Sequence, residues 1–254
     1  MVNTQPAITD DNFAPFAQQI RIVLVGTQHP GNIGMTARAM KTMGFKQLYL
    51  VSPQRFPDPK ANELASRADD ILEQAIIVDT LSAATAECHV IFGSSARPRY
   101  LSQTLYTPKA CAELVAETCT QQRVALVFGR EQSGLTNEEL QHCHYHLNIP
   151  TNPEYCSLNL AMAVQVVCYE LRCALLQPRA IVDTPDSPLA EQQEVERFYQ
   201  HLEQALTEIN FLRADSPRLN LPRLKRLFQR ARLEQMEVNL LRGVLSAIQY
   251  RLKS

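Results

Sequence analysis

A mostly parallel α/β sheet followed by a small C-terminal helical module is the fold the sequence predicts, and three observations predict it. From residue 20 to 176, short apolar runs rich in β-branched residues alternate with helical patterns across short connections, as in strands joined by crossover helices. One run, Val124, Ala125, Leu126, Val127 and Phe128, opens into Gly129-Arg130-Glu131-Gln132-Ser133-Gly134-Leu135, a polar glycine-flanked loop where such sheets place ligands. Past a proline-rich stretch the chain carries helical spacing alone.

In order, residues 20–25 predict a strand that turns at Gly26 to Gly31 into a helix over 33–44. No Lys-Ser/Thr pair follows Gly31 and no Gly-x-Gly-x-x-Gly occurs, which argues against a nucleoside triphosphate or dinucleotide site. Residues 46–51 form a second strand, and Pro53, Pro57 and Pro59 mark a loop. Then come a helix over 62–72, a strand over 75–79, a short helix over 81–86 and a strand over 89–93 that ends in Ser94-Ser95-Ala96. A helix over 108–119 precedes the Val124 strand. Residues 145–149 give another strand, and the turn-rich loop from Pro150 runs into a helix over 157–176. That helix is apolar almost all round, with Leu158, Met162, Val164, Val166, Val167 and Leu171. It is therefore expected to be buried on more than one side, in its own core or against another subunit.

Residues 178–188 hold three prolines and read as a linker. Helical patterns follow over 191–209, 223–230 and 234–252, so the expected organisation is an extension at 1–19, a main domain at 20–177, a linker at 178–190 and a helical domain at 191–254. Arg218, Arg223, Lys225, Arg226, Arg230 and Arg232 crowd one segment of a chain whose net charge is only -1. Positive potential is thus local to the tail.

With 254 residues, 45% of them hydrophobic, the chain can build a sizeable core. Its seven cysteines are odd in number and lack a Cys-x-x-Cys pair, which predicts reduced thiols in a cytoplasmic protein and no zinc. His144 and His146 would share one strand face with Cys143 on the other, so no metal site is expected there, and the histidines read as surface residues at a helix-to-strand junction. Residues 1–19 lack the apolar core of a signal peptide and read as a loose polar extension. Asn159, Gln165, Glu170 and Arg172 interrupt the longest apolar segment and exclude a bilayer span.

Three motifs carry a resemblance. Asn32-Ile33-Gly34-Met35-Thr36-Ala37-Arg38, the Gly129 to Leu135 loop and Ser157-Leu158-Asn159 resemble, in order, the three motifs of the SPOUT (α/β-knot) RNA methyltransferases. With Asn152-Pro153-Glu154-Tyr155 and the basic tail, the similarity narrows to bacterial tRNA ribose 2′-O-methyltransferases. The resemblance implies a trefoil knot, a homodimer whose active sites are completed by the partner, and S-adenosylmethionine as cofactor. It places the cofactor among Ser94, Ser95, Ala96, Gly129, Gly134, Ile149, Cys156, Ser157, Leu158 and Asn159. Gly129 would admit close backbone approach, and Ile149 and Leu158 would flank the adenine.

For catalysis the resemblance implicates Arg38, with Asn32, Glu131 and Ser157. A guanidinium is not a plausible base, so Arg38 reads as a bidentate clamp on the phosphate beside the target ribose. Its spacing from Asn32 is expected to put both on the rim of the later loops. Asn32 and Arg130 are candidates for substrate contact, Glu131 for orienting the loops, and Arg223, Arg226 and Arg230 for binding tRNA. The implied substrate is the anticodon stem-loop, methylated at the pyrimidine of nucleotide 32. The competing readings are another tRNA or rRNA position, and a silent RNA-binding protein on the same fold.

Overall fold

In the computed structural model the described residues are 8, 9, 12–95, 104–176, 186–212 and 220–253. Two units emerge, Met1–Thr85 with Val90–Asp183, and Ala86–His89 with Thr184–Ser254. The first unit runs α1 (Ala14–Ala17), β1 (Ile20–Val25), α2 (Pro30–Met43), β2 (Gln47–Val51), α3 (Pro59–Ala65), α4 (Asp69–Glu73), β3 (Ile76–Val78) and α5 (Leu81–Thr85). It continues with β4 (Val90–Ser94), β5 (Leu105–Tyr106), α6 (Pro108–Thr118), β6 (Val124–Phe128), α7 (Asn137–His142), β7 (Tyr145–Leu147) and α8 (Leu160–Leu175).

The strands form one sheet in the order β3-β2-β1-β6-β4-β7-β5, and every neighbouring pair is parallel. β1 and β6 are buried along their whole length, which is why both read as unbroken apolar runs rather than alternating ones. Because β6, β4 and β7 are adjacent and parallel, the loops that follow them leave the sheet side by side at one rim. From β1 the chain runs outward to β2 and β3, while β6 and β4 lie on its other side, so the order reverses beside the rim that carries these loops.

Proline at the first turn starts α2, α3 and α6, where the missing N–H costs nothing. A Cβ on Gly34 would strike the Ala61 carbonyl; the glycine lets α2 lie directly on α3.

Several expectations are corrected. The single helix over 62–72 is two, α3 and α4, because Ser66 and Arg67 adopt left-handed backbone at φ 49° and 72° and end the first. Pro59 belongs to α3 and not to the loop before it, with the Asp58 carboxylate capping Lys60 N–H at 2.9 Å. The two-residue edge strand β5 was not foreseen. Nor is the whole of 1–19 loose, since Phe13 is buried against Phe45, with ring centroids 5.6 Å apart, beneath the Arg172 guanidinium. His144 and His146 are not surface residues. β7 lies between β4 and β5, so both are buried, and His144 Nδ1 accepts the Ile91 N–H at 3.0 Å.

The second unit contains α9 (Gln192–Glu208), α10 (Asn220–Ala231) and α11 (Gln235–Lys253). Val195, Phe198, Leu202, Ala205, Val238 and Leu245 form its core, and Phe228 of α10 meets Phe198 edge-on at 4.9 Å. On α10, Arg223 and Arg230 are exposed and Arg226 is half-buried. Arg218 lies outside the described residues.

Candidate functional site

The loops after β4, β6 and β7 enclose a cleft of about 180 Å³. Ser94 and Ser95 form one wall, Gly129 to Leu135 a second, and Ile149, Thr151, Cys156, Ser157 and Leu158 the third, with Leu160 and Ala163 of α8 below. Ala96, predicted beside Ser95, lies outside the described residues.

Gly129 is required by the loop itself. Arg130 N–H donates to Gly134 O at 3.2 Å and Gly134 N–H donates back to Arg130 O at 2.8 Å, closing residues 130–134 into a tight ring. A Cβ on Gly129 would collide with the backbone of Gly134 and Leu135. Close approach within the loop is thus one reason for glycine here. Gly134 holds φ +67°, a conformation that costs other residues about 1 kcal/mol or more.

A relay of side-chain amides and a carboxylate ties three chain segments together, with Glu131 in the wall of the cleft. Gln28 N–H and His29 N–H donate to the Glu131 carboxylate at 3.1 Å each, and Asn32 Nδ2 donates to it at 2.9 Å. Asn159 Nδ2 donates to Asn32 Oδ1 at 2.9 Å, while Asn159 Oδ1 accepts Ala161 N–H at 2.9 Å and caps α8. The helix thus starts at Leu160, three residues later than the periodicity suggests, which leaves Ser157 and Leu158 free in the loop. Each end of the Asn32 amide holds one of these bonds, which ties the Glu131 loop to the start of α8. Asn159 is not among the residues that line the cleft.

Burial pushes the Glu131 carboxyl up, but the hydrogen bonds from Asn32, Gln28 and His29 outweigh it and hold the group below the usual carboxylate range. A depressed folded value means the bracket is fully present above the ordinary glutamate range, about 4.3, and is lost as pH falls through the lower folded value. Cofactor affinity is accordingly expected to be flat in this group from pH 8 to 5 and to collapse in stronger acid. Glu131→Gln should weaken it roughly tenfold at neutral pH, about 1.4 kcal/mol. Equilibrium titrations across that range check both.

Arg130, predicted to touch RNA, is committed elsewhere. Its Nη1 and Nη2 donate to the two Glu139 oxygens at 3.0 Å each, and its side chain lies over Gly26, where a Cβ would sit 2.8 Å from Nε. Glu139 also accepts Thr136 N–H at 2.7 Å in the capping box that starts α7. Sequence reasoning missed Glu139, although Thr136-x-x-Glu139 is a legible capping signal. Arg38 is not in the cleft of its own chain. It lies six residues beyond Asn32 on α2, about 9 Å along the axis, on the exposed face. Among the described residues its guanidinium has no hydrogen-bond or ion-pair partner.

A parallel α/β sheet with three loops converging on one cleft defines a fold class that binds ligands at its strand ends, and comparison with known proteins identifies the family. The SpoU rRNA methylase family model matches residues 19–169, and the model of the tRNA methyltransferase TrmJ C-terminal domain matches residues 193–254. The chain belongs to the SpoU methylase family, within the SPOUT class. The tRNA (cytidine/uridine-2′-O-)-methyltransferase TrmJ of Photorhabdus laumondii is 52% identical over 236 residues, 91% of this chain and 97% of that protein. The crystal structure of TrmJ from Z. mobilis ZM4 superposes with a TM-score of 0.79 at 33% identity, covering 90% of this chain and 98% of that one. A probable methylase family protein from Haemophilus influenzae Rd KW20 is 45% identical with a TM-score of 0.62, covering 92% and 97%.

Proposed function

We propose that this protein transfers a methyl group from S-adenosylmethionine to the ribose 2′-hydroxyl of a cytidine or uridine in tRNA, at nucleotide 32 where the anticodon loop opens. The observation that carries this reading is the cleft. Its single cation among the described lining residues, Arg130, is neutralised by Glu139, so the walls suit an uncharged nucleoside better than a polyphosphate. Ile149 and Leu158 offer apolar faces for adenine, while Ser94, Ser95, Cys156 and Ser157 and the Gly129 to Gly134 backbone offer polar contacts for ribose and amino-acid groups. S-adenosylmethionine, when bound, supplies an electrophilic methyl on a sulfonium, a donor that needs no phosphate cradle.

The chain's own part is positioning. Glu131, Asn32 and Asn159 lock the loops, and Arg38 clamps the phosphate next to the target ribose, aligning the 2′-oxygen and stabilising the alkoxide that develops as the methyl moves. The proton passes to that phosphate or to water. Since Arg38 stands outside its own cleft, a second copy delivers it. The surface for that dimer is the outer face of α8, where Met162, Val166 and Tyr169 are exposed at 62%, 36% and 54% and spaced four and three residues apart. α8 is buried on its other side by α2 and α6, so its all-round apolar character is explained by two partners.

α10, with Arg223, Arg226 and Arg230, binds the tRNA backbone. Reversing all three to Glu should weaken tRNA binding by at least about tenfold and flatten its salt dependence while leaving S-adenosylmethionine affinity unchanged. Filter binding at two ionic strengths decides it. No helix of the described residues is long and apolar enough to cross a membrane, and the seven cysteines are free thiols, in keeping with a cytoplasmic enzyme. The test of the whole proposal is transfer of labelled methyl to bulk tRNA, with the modified nucleotide mapped. Incorporation at the 2′-oxygen of nucleotide 32 is expected. No incorporation would leave a silent RNA binder, and a different position would move the substrate.

A further inference from the structure

α11 is apolar on two faces. One face, Val238, Leu241 and Leu245, packs into the core of its own unit. The other carries Met236, Leu240, Gly243, Ala247 and Tyr250, spaced alternately four and three residues apart, the spacing of a coiled-coil seam. Met236, Leu240 and Tyr250 are exposed at 64%, 68% and 73%, and Val244 flanks them at 50%. Apolar faces on two sides of a helix call for two partners, and the chain supplies one.

Gly243 sharpens the point. It sits in the exposed middle of a 19-residue helix, where glycine costs about 1 kcal/mol relative to alanine. Nothing lies within 4 Å of where its Cβ would be, and its φ is not positive. Neither turn geometry nor crowding within this chain asks for glycine there. Close approach of another helix does, as small residues permit wherever helix backbones pack tightly.

We propose that this face pairs with the same face of a second copy, antiparallel, about a two-fold axis beside Gly243 and Val244. The charges select the occupant and its direction. At about 100° per residue, Glu237 and Arg251 fall on the same flank of the seam, near opposite ends of α11, and both are exposed. In an antiparallel pair the same flanks meet. Leu240 then faces Ala247 of the second copy, and Glu237 comes within about one residue rise, ~1.5 Å, of level with Arg251 of the second copy, twice by symmetry. In a parallel pair the same flanks lie on opposite sides of the seam, so Glu237 and Arg251 would not meet. The apolar side chains involved present roughly 500 Å² per copy, or about 1,000 Å² for the pair, at the lower limit for a specific contact. This contact fits one that reinforces an existing dimer. It extends the dimer proposed through α8 but stands on separate residues.

The test uses the full chain with Gly243→Cys, oxidised under mild conditions, with the unsubstituted protein and its native thiols as baseline. A disulfide linking position 243 to position 243 is expected at least tenfold above that baseline. Adding Leu240→Lys should return it to baseline. Adding Glu237→Arg should lower it at least fivefold, and adding Arg251→Glu to that should restore it to within twofold, a rescue that loss of folding cannot imitate. A yield no higher than baseline, a disulfide from position 243 to Cys156 instead, or failure of the charge exchange to rescue overturns the pairing. If the chain sediments as a dimer and position 243 does not cross-link, the α11 pairing fails and the α8 contact survives. A chain that sediments as a monomer at every concentration sinks both.

Discussion

Gly129→Ala is expected to weaken S-adenosylmethionine binding on the order of a hundredfold, the penalty typical of misplacing a positioning element by about 1 Å. The added methyl has nowhere to go, because the Gly134 and Leu135 backbone fills its position. To relieve the clash, the ring of residues 130–134 must open, breaking the two hydrogen bonds between Arg130 and Gly134 and displacing one wall of the cleft. The β6 strand before it is buried and paired on both sides, so the sheet should persist with a melting temperature lower by a few degrees. Isothermal titration with S-adenosylmethionine, beside a thermal melt, separates lost binding from lost folding. Unchanged affinity would mean that this loop is not a cofactor wall.

Arg38→Ala should have the opposite profile, with methyl transfer falling by about 10²–10³-fold and cofactor affinity unchanged. Stability should hardly move, since the side chain is exposed and has no partner among the described residues to lose. Lost cofactor affinity would transfer Arg38 to the cofactor group. Mixing offers a sharper version. Chains carrying Arg38→Ala are mixed in equal amounts with chains carrying Gly129→Ala, each nearly inactive alone at a cofactor concentration that saturates only the intact loop, and allowed to exchange subunits. Half the dimers become mixed, and one of their two clefts has both an intact loop and an arginine from the other copy, so activity should recover to about a quarter of the parent value. No recovery would place Arg38 within its own cleft.

What the sequence disclosed and what it hid follow from the range of the interactions. β1 and β6 were legible because a strand buried on both faces leaves an unbroken apolar run, and Gly129 and Gly134 marked the loop between strand and helix. Local capping was only partly read. Asn159 was singled out, yet its carbonyl fixes the start of α8 after Ser157 and Leu158, which periodicity alone had placed inside the helix. Partners distant in the chain were invisible. Arg130 looked like a free cation because nothing in its own segment shows that Glu139, at the far end of the loop, folds back to it. Arg38 looked coplanar with Asn32 because spacing along a helix is easier to judge than the face to which each residue turns. His146 of β7 and His144 just before it looked exposed because a short strand gives no sign of whether it lies at the edge of a sheet or inside it.

The central claim is that the loops following β4, β6 and β7 together hold the methyl donor. A crystal structure of the full chain with S-adenosylhomocysteine tests it most directly. The adenine is expected between Ile149 and Leu158, with the ribose and amino-acid groups against Gly129 and Ser157. Density for the ligand at any other place on the molecule, with this cleft left to solvent, would contradict it.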